Sequence, residues 1–156
     1  MLLPQKKLNF HEKFYGPNII IESNNTIAIK SGSDDLQLAF TDHSFKTGRH
    51  FIEFLFETEP AEKSILVGLS LSRSDYYFSI GDPRGFWGFI PSECFKIGYN
   101  EKNQIEKKEY GAPCKINDSV GMLLEFGNTH LEVSFFINKI NMGVAFKIGR
   151  ASCRER

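Results

Sequence analysis

An excess of charge of either sign is missing from this chain. Nineteen Lys and Arg stand against nineteen Asp and Glu, so the formal net charge is zero. That balance argues against the electrostatic footprint by which proteins hold nucleic acid or an anionic membrane, and neither is expected as a partner. Long apolar runs are missing as well. No stretch approaches the roughly 18 residues that a membrane helix needs. The start, M-L-L-P-Q-K-K, has no apolar central stretch of a secretory signal, which points to an intracellular, cytoplasmic protein. Cysteine is scarce and unpatterned: Cys94, Cys114 and Cys153 are odd in number and show no C-x-x-C spacing. That argues against a disulfide framework or a zinc site and for free thiols. No metal and no cofactor are expected. Helical periodicity is also missing, because a 3.6-residue repeat never persists for three turns.

What is there is phenylalanine, fifteen copies in 156 residues. Large flat side chains pack well on a pleated, half-buried surface, so this composition leans toward an all-β domain. The length suits a single domain. Asn18–Glu22 and Thr26–Lys30 flank Ser23-Asn24-Asn25 and read as a hairpin, since Asn tolerates the left-handed backbone of tight turns. Leu36, Leu38 and Phe40 alternate with Gln37 and Ala39. Along Arg49–Glu57, His50, Ile52, Phe54 and Phe56 share one face; Phe51, Glu53, Leu55 and Glu57 share the other. Ser64–Leu71 reads as a buried strand, with Gly68 where something approaches closely. Residues 72–85 form a long loop. Phe86–Ile90 and Phe95–Tyr99 are short strands, and Glu101–Glu109, with one apolar residue, reads as a solvated loop or a turn of helix. Val120, Met122, Leu124 and Phe126 line one face of a strand; Leu131, Val133, Phe135 and Ile137 line the next. Asn138-Lys139 is a tight turn into a last strand with a close-approach Gly143. Short strands at regular spacing with turn signals between them predict a two-sheet antiparallel β-sandwich.

Ile148–Arg156, I-G-R-A-S-C-R-E-R, breaks this pattern. It carries three arginines, whereas the preceding residues hold only Arg49, Arg73 and Arg84. It resembles the translation of a sequencing adapter read through at a transcript's end. The expected division is a lead-in over 1–17, a domain over 18–147 that is incomplete at its C-terminus, and an artefactual tail over 148–156.

Six landmarks occur in order. They are Gly48–Phe54 (G-R-H-F-I-E-F), Val67-Gly68-Leu69 and Trp87-Gly88-Phe89; then Tyr110-Gly111, Asn117–Phe126 (N-D-S-V-G-M-L-L-E-F) and Leu131–Phe146 (L-E-V-S-F-F-I-N-K-I-N-M-G-V-A-F). Together they resemble the SPRY domain family in its plain form, without the additional N-terminal motif of the longer PRY-SPRY form. Phe51-Ile52 depart from the usual aromatic pair, Asn117 from Gly, Glu125 from Asp, and Lys139-Ile140 from Gly-Lys. The resemblance implies a concanavalin-like sandwich that lacks its last strand here, and an unpaired sheet edge prone to aggregation. It implies a non-catalytic module that binds a short linear peptide of a partner protein through loops at one end, as a substrate-recruiting adaptor or scaffold. In relatives the contacts come from the loops before the "G-x-H" strand and after the "V-G-V" strand, and from a segment beyond "G-V-A-F".

Within those loops side-chain type selects the candidates. Arg73 and Arg84 can pair acidic groups, and Tyr76 and Tyr77 offer rigid amphipathic area. Asp34, Asp42 and His43 can hydrogen-bond a peptide backbone. Catalytic patterns are weaker. Asp42-His43-Ser44 holds triad residue types, but adjacent residues cannot face one another as nucleophile, base and orienter. Glu53 and Glu125 would form a glycosidase pair only across a cleft. The alternative is a lectin-like carbohydrate-binding sandwich with the sole tryptophan, Trp87, as the sugar platform; as a core anchor Trp87 suits the first reading.

Overall fold

The computed structural model describes residues 8–31, 38–59, 65–70, 85–100, 102 and 104–149. Among these the regular elements are strands: β1 (Phe10–Tyr15), β2 (Ile19–Glu22), β3 (Ile27–Lys30), β4 (Ala39–Thr41), β5 (Arg49–Leu55), β6 (Val67–Ser70), β7 (Phe86–Ile90), β8 (Phe95–Tyr99), β9 (Ile105–Glu109), β10 (Ser119–Phe126), β11 (His130–Ile137) and β12 (Ile140–Gly149). Two four-stranded antiparallel sheets, β12-β11-β10-β5 and β6-β7-β8-β9, accompany two ribbons, β1-β4 and β2-β3. The larger sheets pack against each other, so the chain is an all-β sandwich.

The inner faces are those the alternation predicts. Ile52, Val120, Met122, Leu124, Val133 and Phe135 from one sheet meet Val67, Trp87 and Phe89 from the other. Phe89 and Phe135 are fully buried, with ring centroids 5.5 Å apart. Each contributes about 1.5–3 kcal/mol by leaving water. Trp87 is 5% exposed, and its indole Nε1–H donates to the Tyr99 carbonyl at 2.9 Å. It is a core anchor. All five residues of β7 are buried because its outer face is covered too: Leu38, Phe40 and Leu66 pack on Phe86, Ile90 and Ile97.

The turns follow their residues. Ser23, Asn24 and Asn25 carry φ of 54°, 57° and 65° in the β2–β3 hairpin. Asn138 and Lys139, at 49° and 68°, form the two-residue turn that pairs Ile137 with Ile140. Asn117 sits at φ 70°, a conformation that glycine would also supply.

Four readings shift. Residues 105–109 form strand β9, because β8 offers a ladder that backbone groups can join whatever their side chains. Charged side chains suit such an edge. β1 lies within the expected lead-in and pairs with distant β4, which local pattern does not reveal. A Cβ on Gly143 would meet nothing within 4 Å; its φ of 92° at the β11–β12 bulge is what demands glycine. Finally, β12 runs two residues past Lys147. Ile148 pairs with Leu131 and is 3% exposed, continuing the inward alternation from Phe146.

Side chains from the second sheet close over β12. The Tyr110 hydroxyl donates to the Gly143 carbonyl at 2.5 Å and accepts from the Phe135 N–H at 3.0 Å. Lys96 Nζ donates to the Ala145 carbonyl at 2.5 Å and pairs with Glu106 at 3.4 Å. Burial raises the Tyr110 pKa, against a smaller lowering by the Phe135 N–H. Tyr110→Phe leaves two bulge groups unpaired and is expected to cost about 2 kcal/mol, read as a lower urea midpoint at unchanged slope.

The far end is tied by a carboxylate. Asp118 accepts from Asn138 Nδ2 and from the Lys115 N–H, both at 2.9 Å, and Asn138 Oδ1 accepts from the Ser119 N–H. The Asn138 bond first, then the Lys115 N–H, hold the Asp118 pKa below its ordinary value. A lowered folded pKa means the stabilisation is present above the unfolded value of about 3.9 and is lost as pH falls through the folded one. Urea titrations from pH 6 down to pH 2.5 are expected to show a shallower acid loss in Asp118→Asn than in the parent.

Candidate functional site

Two contacts fix which loops share an end. Phe89 packs on Phe135, and Phe135 is in register with Met122, itself in register with Ile52. One residue further along β8 from Ile97, the partner of Gly88, a Cβ on Gly98 would come within 3.2 Å of the Phe146 ring. Phe146 is in register with Val133, Leu124 and His50. Moving from Phe89 to Phe86 on one sheet therefore runs the same way as moving from Ile52 to Arg49 on the other. The start of β5, the Gly127–Thr129 turn, and Ser70 and Phe86, which bound the β6–β7 connection, lie toward one end.

The loop between β4 and β5 packs there as a line of rings. His43 stands edge-on to Phe45 at 4.9 Å, Phe45 lies 4.5 Å from His50, and His50 lies 6.3 Å from Phe126. His50 Nε2–H donates to the Thr47 carbonyl at 2.6 Å, and the Phe126 N–H donates to the Gly48 carbonyl. His50 is therefore a satisfied, half-buried histidine. Asp42 is exposed, with its N–H bonded to the Asn9 carbonyl. Asp42 and His43 thus belong to this end. Asp34, Arg73, Tyr76, Tyr77 and Arg84 lie outside the described residues.

Beside this line is an open concavity of about 420 Å³, lined by Gly48, Arg49, Glu125, Phe126, Gly127, His130 and Glu132. Its charged residues belong to one row across the sheet. Arg49, Glu125, Glu132 and Lys147 stand in register on β5, β10, β11 and β12. Arg49 Nε is 3.3 Å from Glu125 and Lys147 Nζ is 3.8 Å from Glu132. The Thr129 hydroxyl meets His130 Nδ1 at 2.9 Å, which leaves His130 Nε2–H to face Glu132 at 3.4 Å. The next row on the same face is Phe51, Leu123, Ser134 and Val144; Phe51 and Val144 are exposed.

Residue types alone did not single out this row. Simple counting from the turns would not have found it either: from the Asn138-Lys139 turn it sets Ala145 opposite Glu132, and the β11–β12 bulge moves Lys147 into that place. Glu53, by contrast, is in register with Gly121 and accepts from the Ser119 hydroxyl at 3.1 Å. It stands four residues from Arg49 on the same strand, so it shares the sheet face with Glu125 and does not oppose it across a cleft.

Cys114 is buried in the core, and its thiol is pushed up to about 11 by burial, then by the negative Asp118 and Cys94. Cys94 and Cys114 are both free. Among the described residues no group of three or more His, Cys, Asp or Glu is placed to hold a metal, and no helix is long and apolar enough to cross a membrane. No protein-family model matches the chain, and no curated protein matches it.

Proposed function

We propose that this chain is a non-catalytic interaction module that binds a short peptide segment of a partner protein through the loops at one end of its sandwich, as an adaptor or scaffold. The observation that carries the reading is the convergence just described. The β4–β5 loop, the two ends of the β6–β7 connection and the β10–β11 turn meet on one side of a rigid two-sheet core. Connecting segments positioned by such a core are where binding side chains concentrate. The resemblance to SPRY domains supports the same reading, and three of its landmark residues have structural reasons of their own. Gly68 lies against a neighbouring backbone, Trp87 is a core anchor, and Tyr110 joins the sheets. Asp42 and His43 are the described candidates for contact with the peptide; Asp34, Arg73, Tyr76, Tyr77 and Arg84 complete the proposal. The lectin-like alternative loses its sugar platform, since Trp87 is buried and its N–H is spent internally.

Selection of a displayed random-peptide library on the full chain, alongside a glycan array, tests the reading. Peptides are expected to be enriched, and the combined Asp42→Ala and His43→Ala variant is expected to weaken them about tenfold. Sugar binding with no peptide selected would overturn it.

A further inference from the structure

We infer that two copies of this chain join edge to edge through β5, as antiparallel strands in one continuous sheet, related by a two-fold axis at Phe51. The inference is independent of the peptide-binding reading.

The two four-stranded sheets end in four edge strands, β12, β5, β6 and β9. An edge presents unpaired backbone groups, and proteins commonly blunt it with charge, a bulge or shortness. Three of these edges are blunted. Four of the five residues of β9 are charged, β6 is four residues long, and β12 shifts register against β11. β5 is not blunted: it follows β10 for seven residues in unbroken register and holds no proline. Its hydrogen bonds show which groups are left over. The Phe126 N–H donates to the Gly48 carbonyl, and the Phe56 N–H donates to the Asp118 carbonyl. Antiparallel ladders alternate by two, so His50, Ile52 and Phe54 also bond to β10. Arg49, Phe51, Glu53 and Leu55 then turn their N–H and C=O groups the other way. Among the described residues no other strand takes those groups up. All four residues are exposed, the apolar Phe51 and Leu55 included.

The side chains point to the occupant. A second β5 must set outward groups against outward groups, so the two-fold axis passes through a residue. With the axis at Phe51, Arg49 faces Glu53 of the second copy, Glu53 faces its Arg49, and the two Phe51 rings meet between these pairs. With the axis at Ile52, each Glu53 faces a Phe51 and each Arg49 faces a Leu55. With the axis at Glu53, the two carboxylates oppose each other. Cross-strand partners of opposite charge and paired aromatic rings stabilise a sheet, and like charges destabilise it. The strand therefore complements itself in one register. Its present contacts leave room for this. Arg49 meets Glu125 through Nε, and a guanidinium has further N–H donors; Glu53 accepts from the Ser119 hydroxyl through one of its two oxygens. Such a pairing is isologous and closes on itself, consuming both β5 edges.

Sedimentation of the full chain across roughly micromolar to millimolar concentrations is expected to show a monomer–dimer equilibrium. Arg49→Glu and Glu53→Arg each set like charges opposite one another twice, and each should weaken self-association on the order of tenfold. An equimolar mixture of the two variants restores both opposite-charge pairs, so the mixture should dimerise more tightly than either variant alone. A misfolded variant could not produce that recovery. Phe51→Cys reads the register with both charges in place. At the axis the two Cα atoms of a hydrogen-bonded antiparallel pair lie about 5.5 Å apart, within reach of a disulfide. Under mild oxidation Phe51→Cys should cross-link faster than the parent chain and faster than Leu55→Cys, which would face Thr47 of the second copy. A chain that stays monomeric throughout, or a dimer whose Phe51→Cys variant cross-links no faster than the parent, overturns the inference. So does a mixture of folded variants, checked by Trp87 emission, that shows no recovery. None of these results touches the peptide-binding reading.

Discussion

Phe135→Ala is expected to lower the unfolding free energy by about 3–5 kcal/mol. The ring is fully buried where the two sheets meet, with Phe89 at 5.5 Å, Tyr110 at 6.0 Å and Phe146 at 6.4 Å. Its removal costs the transfer free energy of the ring and adds a cavity. The walls of that cavity cannot collapse, because β10, β11 and β12 are held by their ladders and the bulge is pinned by Tyr110. Phe51→Ala supplies the contrast. That ring is 38% exposed and touches Phe136 edge-on at 5.3 Å, so its loss should cost less than half as much. Urea denaturation of both variants decides the matter. Equal midpoints would mean that Phe135 is not at the centre of the packing.

Gly68→Ala is expected to cost about 3 kcal/mol or more, at or beyond the upper end of ordinary overpacking. A Cβ there would stand 2.1 Å from the Trp87 carbonyl oxygen and 2.7 Å from the Gly88 Cα. Both are backbone atoms of the adjacent strand, so no rotamer change relieves the clash. β6 would have to part from β7, exposing Val67 and disturbing Trp87. The tryptophan should report this directly, through a red-shifted emission in the variant. A native spectrum with an unchanged midpoint would refute the close pairing of Gly68 with Gly88.

Much of this architecture was legible in the residues. Alternation named the inner faces of β5, β10 and β11, since side chains in a strand alternate by geometry and one face must leave water. Asn24-Asn25 and Asn138 marked two hairpins, because Asn enters the left-handed region at low cost. Gly68 announced a close approach. β9 was not legible: in an edge strand exposed side chains carry no burial signal, and what selects the strand is a neighbour's unpaired backbone. β1 was hidden for a related reason, since its partner β4 lies far along the chain.

The candidate site divides in the same way. Asp42 and His43 were legible because loop polarity is a local property. The row of Arg49, Glu125, Glu132 and Lys147 was not, because each residue alone reads as an exposed charge on a strand. The order of side chains along the chain determined that it would fold into two apolar-faced sheets, and where the tight turns would fall. Which strands became neighbours, and so which charges were placed opposite one another, was decided only when β5, β10, β11 and β12 locked in register. A pleated strand specifies which face a residue occupies, while its cross-strand partner depends on ladders closed between distant parts of the chain.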